Sequence, residues 1–173
     1  METNTDKDWI LPLIREHKGM IFKIVNSYCP NRNDREDLAQ EIIYELWRSA
    51  GHFNPAYKFS TWMCSVALNV AISYYRKGRR SAPTIHFPGD QYLMNIEDPW
   101  EGQEVKEGQL ALLQQFIAGL GELDKALMIL YLEEHSYREI GEVLGITETN
   151  VATKISRIKG RLKQKFSTIN EMP

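Results

Sequence analysis

The chain has 173 residues and a net charge of −2, long enough for two small hydrophobic cores but short for two average domains. Its composition is ordinary for a soluble protein. No run approaches the roughly 20 apolar residues of a membrane span, and the acidic start Met1-Glu2-Thr3-Asn4-Thr5-Asp6 lacks the basic and apolar parts of a signal peptide, so a cytoplasmic location is expected.

From the start, Ile10, Leu13, Ile14, His17, Ile21, Ile24, Val25 and Tyr28 recur in steps of three and four and predict one helix face, ended by Cys29-Pro30-Asn31. Asn33, with Glu36 three residues on, is the expected cap of a second helix with the buried stripe Leu38, Ile42, Ile43, Leu46 and Trp47. Gly51 and Asn54-Pro55 break the period over residues 51–57, which read as a loop. Ser60 is then the expected cap of a third helix. Met63, Val66, Ala67, Val70, Ala71 and Tyr74 lie on its apolar side, and Trp62, Asn69, Ser73, Arg76 and Arg80 on the other.

Residues 81–104 carry Pro83, Pro88, Pro99, Gly89 and Gly102 with a weak period. They read as a linker with one short docked segment near residues 92–96. Two further helices are expected at 107–118 and 122–133. Ser136-Tyr137-Arg138-Glu139 is then a capping box, in which the Ser and Glu side chains satisfy each other's free backbone donors. Ile140, Val143 and Leu144 point inward, Gly145 supplies a turn, Ile146 plugs the gap and Thr147 caps a last helix. That helix is expected to bury Val151, Ile155, Ile158, Leu162 and Phe166, leaving Thr149, Asn150, Thr153, Lys154, Arg157 and Arg161 outward.

The fold class is therefore all-α: a three- to four-helix domain at 1–80, an acidic linker at 81–106, and a four-helix domain with a helix-turn-helix at 107–173. Charge is segregated along it. Residues 152–168 hold six basic side chains and no acid, while residues 90–107 hold six acids against one Lys. Early polar residues followed by cations on one helix suit docking in a major groove, with base edges read first and phosphates gripped behind. Taken alone, the same helix also fits a solvated amphipathic surface.

The N-terminal half offers different chemistry. Tyr57, Phe59 and Trp62 can stack on unpaired bases, with Asn69, Ser73, Arg76, Lys77, Arg79 and Arg80 beside them for base edges and phosphates; core packing is the competing role for Trp62, Met63 and Tyr74. Cys29 and Cys64 lack CxxC spacing and the four His are scattered, so buried reduced thiols are expected and no metal or other cofactor. No Walker loop, paired catalytic acids or nucleophile constellation is present, which points away from an enzyme and a small-molecule substrate.

Together these residues resemble the extracytoplasmic-function (ECF) sigma factors, the two-domain members of the sigma-70 family, over roughly residues 16–80 and 110–166. The resemblance implies that Asp37-Leu38-Ala39-Gln40-Glu41, with Asp37, Leu38, Gln40 and Glu41 as contacts, docks on the beta-prime clamp helices of core RNA polymerase, with the beta subunit a further partner. It also implies that Phe59-Ser60-Thr61-Trp62 through Arg76 melts and reads the minus-ten element, and that the loop 51–58 captures a flipped base. Ser136 to Gly141 with Leu144 to Thr147 looks like the minus-thirty-five reader. An anti-sigma factor, often membrane-bound, is the implied regulator, and promoter DNA the implied ligand. Ala152, where many members carry a base, Ser73, where Asp is frequent, and Leu120-Gly121 in place of Leu-Pro depart from the pattern and bear on promoter preference. The residues themselves leave open a helix-turn-helix activator or repressor that acts without being a polymerase subunit, and less readily a helical nucleic-acid enzyme.

Overall fold

A computed structural model describes residues 7–29, 31–77 and 108–170, all helix, turn or loop. The expected linker, its docked segment near 92–96, Arg79 and Arg80 lie outside the described residues. The chain divides into two compact units, Met1–Gln103 and Glu104–Pro173.

In the first unit the expected opening helix is two helices, α1 (Ile10–Glu16) and α2 (Lys18–Tyr28). They break at His17, whose φ of −99° and ψ of 15° leave the helical well. Met20 N–H bonds the His17 carbonyl at 3.1 Å, a tightened three-residue closure next to Gly19, a poor helix former. The apolar face survives the break: Ile10, Ile14, Ile21, Ile24, Val25 and Tyr28 are all buried.

Helix α3 (Arg32–Ser49) is capped by Asn31, not by Asn33 as expected. The Asn31 side-chain oxygen accepts the Asn33 N–H at 3.2 Å, which puts Asp34 in the first turn, where a carboxylate meets the positive helix end. Its stripe is buried as read, except that Trp47 is half-buried beneath the Lys7 ammonium, 5.3 Å from the ring centroid.

Helix α4 (Phe59–Arg76) begins one residue before Ser60, which therefore does not cap it; Lys58 stands at the cap position without a side-chain bond. Its buried arc is also rotated from the expected one. Met63, Ala67 and Ala71 are fully buried, but so are Cys64 and Leu68, whereas Val66, Val70 and Tyr74 are only half-buried. The physical reason is that α4 packs against both α2 and α3, so two neighbours cover a wider arc than one stripe predicts.

The second unit comprises α5 (Gln109–Ala118), α6 (Glu122–Leu132), α7 (Tyr137–Leu144) and α8 (Glu148–Asn170). Lys125, Ala126, Leu127, Met128, Ile129 and Leu130 are buried in succession, so α6 is wrapped on every side. Ile140, Val151, Ile155 and Ile158 close the core against it. Leu162 and Phe166, expected inside, are half-buried. At 23 residues α8 runs about 35 Å, at 1.5 Å per residue, and outreaches the 8-residue α7 that packs on it. No described helix is long and apolar enough to cross a membrane.

Candidate nucleic-acid interface

The C-terminal reading head is assembled by backbone chemistry. Ser136 Oγ accepts the Glu139 N–H at 3.1 Å and Glu139 Oε2 accepts the Ser136 N–H at 2.8 Å, closing the capping box at the start of α7. At its other end Gly145 adopts φ 69°, a left-handed conformation that a side chain would strain, and Ile146 N–H returns to the Gly141 carbonyl at 3.1 Å. Gly141 is as constrained as Gly145 for a different reason: a Cβ there would lie 2.7 Å from the Ile146 carbonyl oxygen. Only hydrogen fits where the turn folds back on α7. Thr147 Oγ1 then accepts the Asn150 N–H at 3.2 Å and starts α8.

These constraints aim one face of α8 outward. Thr149, Asn150, Thr153, Arg157 and Arg161 are exposed, and Thr153 Oγ1 donates to the Thr149 carbonyl at 3.0 Å. Lys154 differs from the expectation. It is half-buried and reaches sideways to Asp124 of α6, Nζ to Oδ1 3.4 Å, because its position lies between the outward face and the core face. On the opposite flank Lys159 donates to the Tyr131 hydroxyl and lies over that ring, 4.4 Å from its centroid, with Tyr137 beyond at 6.4 Å. The bond to Tyr131 holds the Lys159 ammonium above the usual lysine range. Arg157 and Arg161 are thus the exposed cations aligned with Asn150 and Thr153.

In the first unit, Asp37 is exposed and Gln40 and Glu41 half-exposed on α3. Leu38 is fully buried. It cannot touch a partner, since the helical period that exposes Asp37 and Glu41 turns Leu38 into the core, where it supports the face from beneath. The half-buried Tyr74 adjoins this face. Burial, then the nearby carboxylates of Asp34, Asp37 and Glu41, disfavour its phenolate and raise its pKa.

The candidate strand-binding residues separate into two sets. Tyr57, Asn69, Ser73, Arg76 and Lys77 are exposed. Phe59 and Trp62 are instead half-buried in a ring cluster that the sequence reading missed, built around Phe53. Phe53 lies 5.9 Å from Trp9, 5.6 Å edge-on from Phe59 and 5.3 Å from Trp62, centroid to centroid. Phe59 also stacks on Trp62 and on His17, each at 5.7 Å. The available signal was the pair of aromatics that brackets residues 54–58; the rings come from three separate segments, so no period reveals them. Among the described residues no group of His, Cys, Asp and Glu is arranged to hold a metal.

The model of sigma-70 region 2 matches residues 13–81 and that of sigma-70 region 4 matches residues 110–162, together more than half of the chain. The ECF RNA polymerase sigma factor SigW of Bacillus subtilis is 28% identical, over 93% of this chain and 90% of its own length. SigE of Mycolicibacterium smegmatis, also an ECF RNA polymerase sigma factor, is 26% identical over 94% of this chain and 73% of its own. The fold is shared with the sigma factor RpoE of Bartonella quintana in complex with the anti-sigma factor NepR, with a TM-score of 0.62, 16% identity and coverage of 94% of this chain and 95% of that one. It is likewise shared with CnrH in complex with the cytosolic domain of CnrY, at TM-score 0.63, 19% identity and coverage of 91% and 86%.

Proposed function

The chain belongs to the sigma-70 family, as a two-domain factor of the ECF type that directs RNA polymerase to promoters, and from that premise we propose how its surfaces divide the work. Sigma factors are non-catalytic subunits, and every role assigned here is binding in the cytoplasm, not bond-making. The α3 face carrying Asp37, Gln40 and Glu41 docks on core polymerase. The exposed face of α8 anchors duplex DNA upstream, with Asn150 and Thr153 at base edges and Arg157 and Arg161 at phosphates. The loop at 51–58 with Asn69, Ser73, Arg76 and Lys77 takes the unpaired strand downstream. The regulator is an anti-sigma factor that competes for these faces.

The observation that carries this division is the contrast in what each unit exposes: a one-signed helix face fixed by caps and glycines in one, and a ring-anchored loop tipped by an exposed Tyr in the other. Melting then needs no nucleotide hydrolysis, because stacking on protein rings, about 1–3 kcal/mol per base, offsets the duplex stacking that is lost. The test is run-off transcription with core polymerase and the wild-type chain beside a Gln40→Ala, Glu41→Lys double variant. Specific transcripts with the wild type, and loss of core binding with helix content kept in the variant, are expected. A chain that selects promoters only as a free protein, or a variant that still binds core, would overturn the assignment.

A further inference from the structure

The loop between α3 and α4 is closed at its base. Phe53 and Phe59, which bracket residues 54–58, bring their rings within 5.6 Å, and both contact Trp62 on the next turn of α4. The span between them is folded on itself: Asn54 Oδ1 accepts the Ala56 N–H at 3.0 Å and the Asn54 carbonyl accepts the Tyr57 N–H at 3.0 Å, with Pro55 between. Tyr57 stands on this turn with 63% of its surface exposed, and no ring pairs with it among the described residues. The other rings here are engaged with each other, so the one left for a base is Tyr57.

We infer that Phe53 is a positioning residue for strand capture: its ring ties the base of the loop to Trp9, Phe59 and Trp62 and thereby holds Tyr57 out, preorganised to stack on an unpaired base. The inference rests on the proposed strand-binding role of this loop and adds the residue through which the loop is set. Two features of Phe53 favour positioning over contact. It is half-buried, and it touches three rings from the turn before α1 and from α4, which makes it the hub of the cluster. A loop ordered before binding loses less conformational freedom when the base arrives, so removing the hub weakens capture without removing the stacking ring.

The experiment uses holoenzyme, the full chain on core polymerase, and a short single strand of DNA enriched by the wild type from a randomised pool. Affinity is read by fluorescence anisotropy for Tyr57→Ala, Phe53→Leu and the double variant. Phe53→Leu keeps the core apolar, and Phe53→Tyr serves as the conservative rescue. One lost base stack, at about 1.4 kcal/mol per tenfold, spans roughly five- to 150-fold in affinity. Tyr57→Ala should fall in that range, Phe53→Leu should reproduce part of the same loss, and the double variant should bind no worse than Tyr57→Ala alone. Phe53→Tyr should bind like wild type. If Tyr57→Ala weakens binding but Phe53→Leu does not, or the two losses multiply, Phe53 does not act through Tyr57 and the inference fails while the loop assignment stands. If Tyr57→Ala binds normally, the loop assignment fails and takes the inference with it.

Discussion

The two units hold out their proposed DNA-binding faces by different means. In the second, α8 is aimed by short-range backbone devices within a dozen residues of each other: the Ser136–Glu139 box, the left-handed Gly145, the bare Cα of Gly141 and the Thr147 cap. In the first, the loop and the start of α4 are aimed by rings that meet from Trp9, His17, Phe53, Phe59 and Trp62. A backbone device tolerates almost no added volume. A ring cluster shares its stabilisation among several contacts and loses it gradually.

The largest expected effect breaks the first kind of device. Gly141→Ala forces a Cβ to 2.7 Å from a backbone oxygen that has no rotamer to escape into, and should destabilise the second unit by about 2–3 kcal/mol. Urea unfolding of the full chain should show it, together with loss of upstream DNA protection in holoenzyme. Next come the rings: Phe59→Ala and Trp62→Ala should each cost about 2 kcal/mol, less than a full core truncation because both are half-buried. Their double variant should cost less than the sum, since the 5.7 Å contact between them is removed once only. Strict additivity in the unfolding midpoints would mean the cluster is not a unit.

This contrast is also why the two halves were unequally legible. The capping box, the turn at Gly145 and the cap at Thr147 stand within one short stretch of sequence, and the structure places each as read. Leu38 shows the opposite problem. Its neighbours Asp37 and Glu41 drew it into a contact motif, although the helical period had already put it in the core. Asn33 and Ser60 lost their caps to Asn31 and Lys58 because a cap depends on which residue leaves the helical well, which identity alone does not decide. The break at His17 is local, set beside Gly19, whereas the extra burial of Cys64 and Leu68 and the hub at Phe53 depend on residues distant in sequence. So does the Asp124 to Lys154 pair, 30 positions apart, which drew one expected DNA contact sideways.

Lys125 sharpens the comparison from within the second unit, as a charge buried on the helix that the other helices of that unit wrap. Burial holds its ammonium below the ordinary lysine value of 10.5, with Glu122 opposing in part. Between the lowered value and 10.5 the unfolded chain binds more protons than the folded one, so stability rises with pH through that window. Lys125→Met should abolish that rise and stabilise the chain by about 1 kcal/mol at neutral pH, read from unfolding midpoints across neutral to alkaline buffers. The smallest effect is at Glu134, which sits at φ 62° where α6 ends. Glu134→Gly should add about 0.5–1 kcal/mol by relieving the left-handed strain. A loss in calorimetry would show that the Glu side chain itself secures the turn.

The division of labour is tested most directly by permanganate and hydroxyl-radical footprinting of holoenzyme on one of its promoters, comparing wild type, Arg157→Ala and Tyr57→Ala. Arg157→Ala should weaken upstream duplex protection, with strand opening restored at higher holoenzyme concentration. Tyr57→Ala should keep upstream protection and lose the reactivity of unpaired thymines. If each variant loses both signals together, or if Tyr57→Ala opens the strand as wild type does, the account of two separate faces is contradicted.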